Sequence, residues 1–163
     1  MTSRQKLTRV FLLAPLLCAT GCPRPRQQDY QTYEGRASIF AFEREGRCQL
    51  RLGPDRFSAP PGAKAVWEIR NECAIAIEPE VFDFEFEGSL ESGEPAGGAV
   101  ERFALSSIFE PGAANRPVEA GGTAEIDLRI KRDARPGRYR YQFRDLKVSG
   151  EPGDPKLDIW PPI

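Results

Sequence analysis

The stretch Val81-Phe-Asp-Phe-Glu-Phe-Glu87 places aromatic and acidic side chains at alternate positions. Successive side chains of a β-strand point to opposite faces, so this pattern predicts a strand with one aromatic and one acidic face. The aromatic face consists of Phe82, Phe84 and Phe86, and the acidic face of Asp83, Glu85 and Glu87. Each aromatic side chain buries on the order of 150–200 Å², which requires a second sheet packed against this strand.

Other segments repeat this alternation. Residues 124–130 and 138–144 each present three apolar side chains to one side; these are Ile126, Leu128, Ile130, Tyr139, Tyr141 and Phe143. Shorter runs around Ile39 and Ala41, and over residues 48–52, 65–70 and 157–160, are bounded by Gly and Pro turns. One helix is predicted over residues 99–109, where Val100, Phe103 and Ala104 share a face. About seven short strands with at most one short helix indicate an all-β fold, a β-sandwich.

Three motifs resemble the cupredoxins, the plastocyanin-type copper proteins. Gly62, Val66, Trp67, Ile69 and Asn71 resemble their G-x-x-V-x-W-x-N-like strand. Residues 119–123 resemble the turn before a later strand, and residues 136–141 the G-x-Y-x-Y/F hairpin that leads to the copper-binding cysteine. The match covers about residues 46–160 and implies a cupredoxin-like Greek-key sandwich.

The copper site of that family does not carry over. The thiolate position falls at Phe143, and the chain contains no histidine. A blue-copper centre needs two imidazoles and a thiolate, so the resemblance implies the scaffold without its metal. The lack of histidine also excludes Ser-His-Asp and Cys-His catalysis and the usual zinc sites. We therefore expect no cofactor.

The N-terminus has the parts of an export signal. Arg4, Lys6 and Arg9 precede an apolar run of roughly ten residues, too short for a membrane span of about 20 residues. The run ends in Thr20-Gly21-Cys22, which resembles the lipobox of bacterial lipoproteins and implies that Cys22 is acylated. The alternative is a secreted protein cut near Ala19 or Gly21 that keeps Cys22 as a free thiol.

These features predict three segments. Residues 1–21 are the lipoprotein signal peptide, residues 22–33 the lipidated cysteine and a polar tether, and residues 34–163 the sandwich domain. Pro23 stands where enterobacterial lipoproteins that stay in the inner membrane usually carry Asp. This favours a lipoprotein of the Gram-negative envelope, held in the outer membrane and facing the periplasm.

The net charge argues against nucleic-acid binding, and the cysteine count allows one disulfide. Removing residues 1–21 takes away three of the 23 basic residues and none of the 24 acidic ones, which leaves a net charge of −4 and no basic excess for nucleic acid. Cys18 leaves with the signal and Cys22 is the anchor, so only Cys48 and Cys73 remain. They allow one disulfide, which would stabilise the domain by roughly 3 kcal/mol. The alternative is two buried free thiols.

Charged residues form two sets. The acidic set of Glu78, Glu80, Asp83, Glu85 and Glu87 could bind a cation or a basic partner, but a solvated strand face explains it better because its side chains are roughly 7 Å apart. The basic set could recognise anionic headgroups or polysaccharide, but pairing across strands with the acidic set, or plain solvation, is the favoured interpretation. This set is Arg129, Lys131, Arg135, Arg138, Arg140 and Arg144.

Partner contacts are predicted on the irregular regions at residues 88–98 and 110–122, because binding residues concentrate on loops. Phe109, Asn115 and Arg116 are the candidates there, and flexible filler is the alternative. We predict a non-catalytic envelope lipoprotein, a binding or structural module whose partners are the lipid bilayer, through acylated Cys22, and an unidentified envelope protein. The alternative is a carboxylate-dependent glycan-acting enzyme of the envelope. An electron carrier is a third class, which the composition all but excludes.

Overall fold

The computed structural model describes residues 33–90, 100–145, 148–150 and 153–161. Within these ranges the chain forms ten strands and one helical turn, arranged in two five-stranded sheets. The elements are β1 Glu34–Arg44, β2 Arg47–Gly53, β3 Arg56–Ala59, β4 Lys64–Asn71, β5 Glu80–Gly88, β6 Glu101–Phe103, α1 Leu105–Ile108, β7 Thr123–Arg129, β8 Gly137–Arg144, β9 Ser149–Gly150 and β10 Lys156–Ile159. The predicted all-β sandwich with at most one short helix is confirmed.

The strand order gives the sandwich its Greek-key character. The first sheet has the order β7-β4-β1-β2-β9, and the second sheet the order β3-β10-β8-β5-β6. β1 is the central strand of the first sheet, parallel to β4 and antiparallel to β2. Three short strands, β3, β6 and β9, account for the difference from the seven or so that the sequence predicts.

Aromatic side chains from both sheets fill the core. Trp67 on β4 lies edge-on to Tyr141 on β8, with ring centroids 5.6 Å apart, and Phe84 stacks on Tyr141 at 5.5 Å. The Trp67 indole N–H donates a hydrogen bond to the Tyr141 hydroxyl at 3.0 Å, which satisfies a polar group that burial would otherwise leave without a partner. Five of the six side chains predicted to point inward in β7, β8 and the residue after β7 are fully buried; these are Ile126, Leu128, Ile130, Tyr139 and Tyr141.

The alternation in β5 is broken by a β-bulge. Phe82 lies opposite Gln142 and Glu85 lies opposite Arg140, so β5 advances three residues where β8 advances two. Asp83, within this step, has a φ of 54°. An extra residue reverses the direction of every side chain that precedes it. Val81, Phe84 and Phe86 are therefore buried, while Phe82 is half-buried beneath Arg144. The prediction that Phe82 shares a face with the other two phenylalanines is wrong for this reason.

The predicted helix over residues 99–109 is also largely wrong. Residue 99 lies outside the described residues. Residues 101–103 form the strand β6, and the helix α1 contains only four residues. β6 pairs with the edge of β5, and Phe103 packs on Phe86 and Tyr139. Among the described residues, no helix is both long and apolar enough to cross a bilayer.

The sandwich has two opposite ends along the strand direction. At the Tyr33 end the chain enters β1; the Tyr33 carbonyl accepts a hydrogen bond from the Lys64 N–H at 3.1 Å. At the Cys73 end β4 finishes, and a disulfide joins Cys73 to Cys48. β4 has eight residues, so the two ends are about 25 Å apart along the strand direction.

Candidate functional site

The outward face of the second sheet is a network of ion pairs. Arg138 holds Asp158 through two hydrogen bonds of 2.8 and 3.1 Å, and Arg144 pairs with Glu80 at 2.9 Å. The remaining pairs are Lys156 with Glu87 at 3.0 Å, Arg135 with Glu101 at 2.7 Å, and Glu85 with both Arg140 and Arg102. Two of these pairs, Arg140 with Glu85 and Arg144 with Glu80, join the basic set to the acidic set as predicted. Arg135 and Arg138 pair instead with acids outside the acidic set.

Glu85 is the best-enclosed carboxylate of this network. It is 5 % exposed, and it accepts a hydrogen bond from Arg102 Nε at 3.0 Å besides its contacts with Arg140. The hydrogen bond from Arg140 lowers the pKa of Glu85, Arg102 adds to the effect, and burial opposes it. The prediction that Glu85 lies on a solvated face is therefore wrong, because the two arginines cover it.

Two other members of the basic set contact aromatic rings. The guanidinium of Arg135 lies 3.9 Å from the centre of the Phe86 ring, and that of Arg144 lies 4.3 Å from the centre of the Phe82 ring. Arg129 donates to the Gly62 carbonyl at 2.8 Å. These contacts fix the arginines as parts of the fold, so they do not form a continuous free basic surface.

The first sheet carries an ion cluster that the sequence analysis missed. Arg36 on β1 pairs with Glu34 at 2.5 Å, with Glu125 at 3.0 Å, and with Glu68. The hydrogen bonds that Arg36 donates to Glu34, and then those to Glu125 and Glu68, raise the pKa of Arg36. Outward charges of opposite sign at alternate positions of β1, β4 and β7 were the available signal. Only the strand order brings the three strands together.

Two shallow grooves lie on the outward faces of the sheets as the structure describes them, one on each sheet. The larger, of about 740 Å³, lies on the first sheet and is lined by Phe40, Arg70, Arg116 and the acidic side chains of Glu68, Glu125 and Asp127. The smaller, of about 400 Å³, lies over Glu85, Arg102 and Arg140. Glu68, Glu125 and Asp127 already hold Arg36 or Lys64. Arg70 pairs with Glu72 at 2.8 Å, so the larger groove offers mainly Arg116 to a ligand.

The three loop residues predicted to contact a partner lie in different surroundings. Phe109 is 1 % exposed and packs edge-on against Trp67 and Phe84, so its side chain is part of the core rather than of a surface. Asn115 is exposed and donates to Glu78 at 2.8 Å. Arg116 is exposed beside the larger groove. The structure thus brings Asn115 and Arg116 to one surface and excludes Phe109 from it.

A disulfide and a buried asparagine organise the Cys73 end. The predicted bond between Cys48 and Cys73 is present, with Cα atoms 5.7 Å apart. Asn71 is fully buried; its amide group donates to the carbonyls of Ile75 and Val118 at 2.8 and 3.1 Å, and its side-chain oxygen accepts from the Cys73 N–H at 3.0 Å. This arrangement ties the segment after β4 to the loop before β7.

The residues present do not suit a copper ion. Phe143 is half-buried at the position that the resemblance gives to the thiolate, and its side chain offers only carbon atoms. Cys48 and Cys73 are closed in the disulfide. Across residues 33–90, 100–145, 148–150 and 153–161, no three or more acidic, cysteine or histidine side chains form a group that could hold a metal. Cys22 lies outside the described residues.

Comparison with known proteins yields structures but no sequence family. A scan against protein-family models finds no match. A search of curated proteins finds none either. Among solved structures, the chain is similar to auracyanin B, with 11 % identity over 78 % of this chain and 89 % of that one and a TM-score of 0.36. It is also similar to the auracyanin of Roseiflexus castenholzii, with 13 % identity over 76 % and 95 % of the two chains and a TM-score of 0.34.

A third similar structure is the multicopper oxidase McoA of the hyperthermophile Aquifex aeolicus, with 9 % identity over 76 % of this chain and a TM-score of 0.38. The chain spans only 29 % of that oxidase and 26 % of the first similar structure, Lac15 from a marine microbial metagenome. At TM-scores of 0.34 to 0.38, these likenesses carry no argument about the function of this chain.

Proposed function

We propose that this protein is a non-catalytic lipoprotein of the Gram-negative envelope. In this proposal acylated Cys22 holds it in the outer membrane, and the sandwich faces the periplasm as a binding or structural module without a copper site. The observation that carries the proposal is that the charged side chains on both outward faces are largely bonded to one another. Groups in fixed ion pairs stabilise a scaffold and are poorly placed to transfer protons.

The state of Glu85 does not suit the general acid of a glycan-acting enzyme. A glycan-acting enzyme needs one carboxyl group whose raised pKa keeps it protonated as the general acid. The pKa of Glu85 is lowered instead, because Arg140 and Arg102 hydrogen-bond to its ionised form. A glycan-hydrolysing activity that is lost in Glu85→Gln while the fold persists would overturn this part of the proposal.

The surface proposed for an envelope protein partner lies at the Cys73 end. Ile75, 46 % exposed, stands on the segment that Asn71 and the disulfide hold in place. Arg116 is exposed and forms no ion pair with any described residue. A rigid segment with an exposed apolar side chain, near an unpaired arginine, has the composition that partner contacts favour.

The anchor is tested by Cys22→Ser in the full chain produced in a Gram-negative cell. We expect the variant to leave the membrane fraction, because the acyl chains provide the attachment. Cys18→Ser is the matched control and should remain with the membrane, since Cys18 belongs to the signal. Retention of Cys22→Ser in the membrane fraction would refute the anchor.

The partner surface is tested by a photo-crosslinking residue at position 116 and, as a matched control, at position 132. Both positions carry exposed arginines, but Arg132 lies at the Tyr33 end. We expect a crosslinked envelope protein from position 116 only. Equal crosslinking from both positions, or none from position 116, would contradict this assignment.

A further inference from the structure

Exposed apolar side chains gather at one end of the sandwich. Among the described residues, four large hydrophobic side chains are exposed: Tyr33 at 47 %, Ile75 at 46 %, Val100 at 63 % and Trp160 at 53 %. Scattered single apolar residues are ordinary on a protein surface. Here three of the four, all except Ile75, lie at the Tyr33 end.

Hydrogen bonds place Tyr33 and Trp160 next to the same turn. The Tyr33 carbonyl accepts from the Lys64 N–H at 3.1 Å, and the Trp160 N–H donates to the Ala59 carbonyl at 3.4 Å. Ala59 is the last residue of β3 and Lys64 the first residue of β4, so residues 60–63 form the turn between them. Both aromatic residues therefore flank one tight turn at the Tyr33 end.

Val100 reaches the same end from the second sheet. It precedes β6, whose first residue, Glu101, lies opposite Phe86 near the end of β5. Glu101 also binds Arg135, which stands just before β8 begins. The last residue of β10, Ile159, lies opposite the first residue of β8, Gly137. Trp160 follows Ile159, so Val100 and Trp160 lie at the same end of the domain.

The charges at this end are nearly balanced. Three cations are paired, Lys64 with Asp127, Arg129 with Glu110, and Arg135 with Glu101. Lys131 and Arg132 form no ion pair with the residues that the structure describes, and Asp133 is the exposed acid beside them. Such a surface meets neutral or anionic headgroups without repulsion.

We propose that the Tyr33 end lies against the bilayer, with Tyr33 and Trp160 at the level of the lipid headgroups. This inference rests on the proposed function, because acylated Cys22 supplies the attachment. Tyrosine and tryptophan favour the membrane interface, where the ring is in an apolar region and the polar atom stays hydrated. The lipid surface is thus the occupant that the chemistry of this end fits.

The position of the anchor makes the bilayer the nearest large surface. Eleven residue steps join Cys22 to Tyr33, and a chain of that length spans at most about 40 Å. A linked binding event becomes intramolecular, so even a weak affinity of the two aromatic rings for lipid is effective. The Cys73 end, about 25 Å further away, then faces the periplasm and remains available to a protein partner.

The two tryptophans of the chain provide the test. Trp67 is fully buried in the core, whereas Trp160 is half exposed at the proposed contact. The full acylated chain is reconstituted in vesicles of phosphatidylethanolamine and phosphatidylglycerol, with or without brominated phosphatidylcholine as a short-range quencher. We expect brominated lipid to quench the fluorescence of Trp160 and to leave the fluorescence of Trp67 unchanged.

Two variants serve as controls in the same vesicles. Trp160→Phe should lose the quenching, because only Trp67 then emits. Trp160→Phe combined with Ile75→Trp carries an exposed tryptophan at the opposite end, and its emission should not respond to brominated lipid. Quenching of the tryptophan at position 75 as strong as that of Trp160 would overturn the proposed orientation.

Flotation of the vesicles separates this inference from the proposed function. Wild-type protein that floats with vesicles and shows Trp160 quenching supports both. Protein that floats without Trp160 quenching supports the acyl anchor but overturns the proposed contact with lipid. A Trp160 emission that changes only when an envelope protein is added would overturn the contact with lipid as well. Acylated protein that fails to float overturns the anchor, and the contact with it.

Discussion

Substitution of Tyr141 by Phe tests whether the hydrogen bond at the centre of the core stabilises the fold. The variant keeps the ring contacts of Tyr141 with Trp67 and Phe84 but removes the hydroxyl that accepts from the Trp67 indole N–H at 3.0 Å. Trp67 and Tyr141 are fully buried, so no water can replace the lost partner. A buried donor without a partner costs about 1–3 kcal/mol, and we expect a loss of about 2 kcal/mol.

Tyr139→Phe is the matched control. The Tyr139 side chain is also buried, but its hydroxyl donates to the carbonyl of the exposed residue Arg135 at 2.7 Å, so this hydrogen bond is only partly buried. Its removal leaves only a carbonyl that water can reach, and we expect a loss of about 0.5–1 kcal/mol. Urea-induced unfolding followed by far-ultraviolet circular dichroism measures both free energies of unfolding.

A double-mutant cycle with Trp67→Phe completes the test. Tyr141→Phe should cost less when Trp67 is already Phe, because no indole N–H is then left without a partner; we expect a coupling of about 1 kcal/mol. The reasoning fails if Tyr141→Phe destabilises the protein no more than Tyr139→Phe does. A coupling of zero would refute it as well.

Three further outcomes follow from the same structure. Replacing Cys48 and Cys73 together by Ala should lower the free energy of unfolding by about 3 kcal/mol, because the disulfide closes a loop of 25 residues; an unchanged urea midpoint would contradict this. Glu85→Gln should lower the free energy of unfolding by about 1 kcal/mol at neutral pH. Since the pKa of Glu85 is lowered in the folded state, its contribution is present above the ordinary pKa of Glu and is lost as the pH falls through the folded value. The two urea midpoints should therefore converge at acidic pH, and a constant difference would refute this cause. Gly137→Ala should cost about 3 kcal/mol, because at a φ of 149° its Cβ would collide with an aromatic ring of β5. Gly46→Ala, with a φ of 71° and open space around its Cβ, should cost only about 1 kcal/mol; equal losses would rule out the collision.

Regular alternation made most of the core predictable. The inward side chains of β7 and the two tyrosines of β8 follow period two without interruption, and they are buried as expected. β5 shows the same alternation in sequence, but the bulge at Asp83 inserts a residue and turns Phe82 outward. A bulge depends on how β5 meets β8, which local alternation does not encode.

The candidate site was predictable in kind but not in detail. Opposite charges on outward faces predicted pairing, yet the partners of Glu85 depend on the register between β5, β6 and β8. Arg102 could not be assigned to it, because its segment was predicted to be helical. Phe109 was placed on a surface because it lies in an irregular region, and its burial against Trp67 arises only when the two sheets close.

The central position of β1 has a mechanical consequence. A force on the segment before Tyr33 would pull β1 along its own axis. β1 pairs with β4 over residues 34–41 and with β2 over residues 38–44, so both of its flanks are bonded over residues 38–41. Loaded in this direction, bonds on both flanks must shear together rather than open one after another. A tether joined to a central strand therefore resists extraction of that strand better than a tether joined to an edge strand.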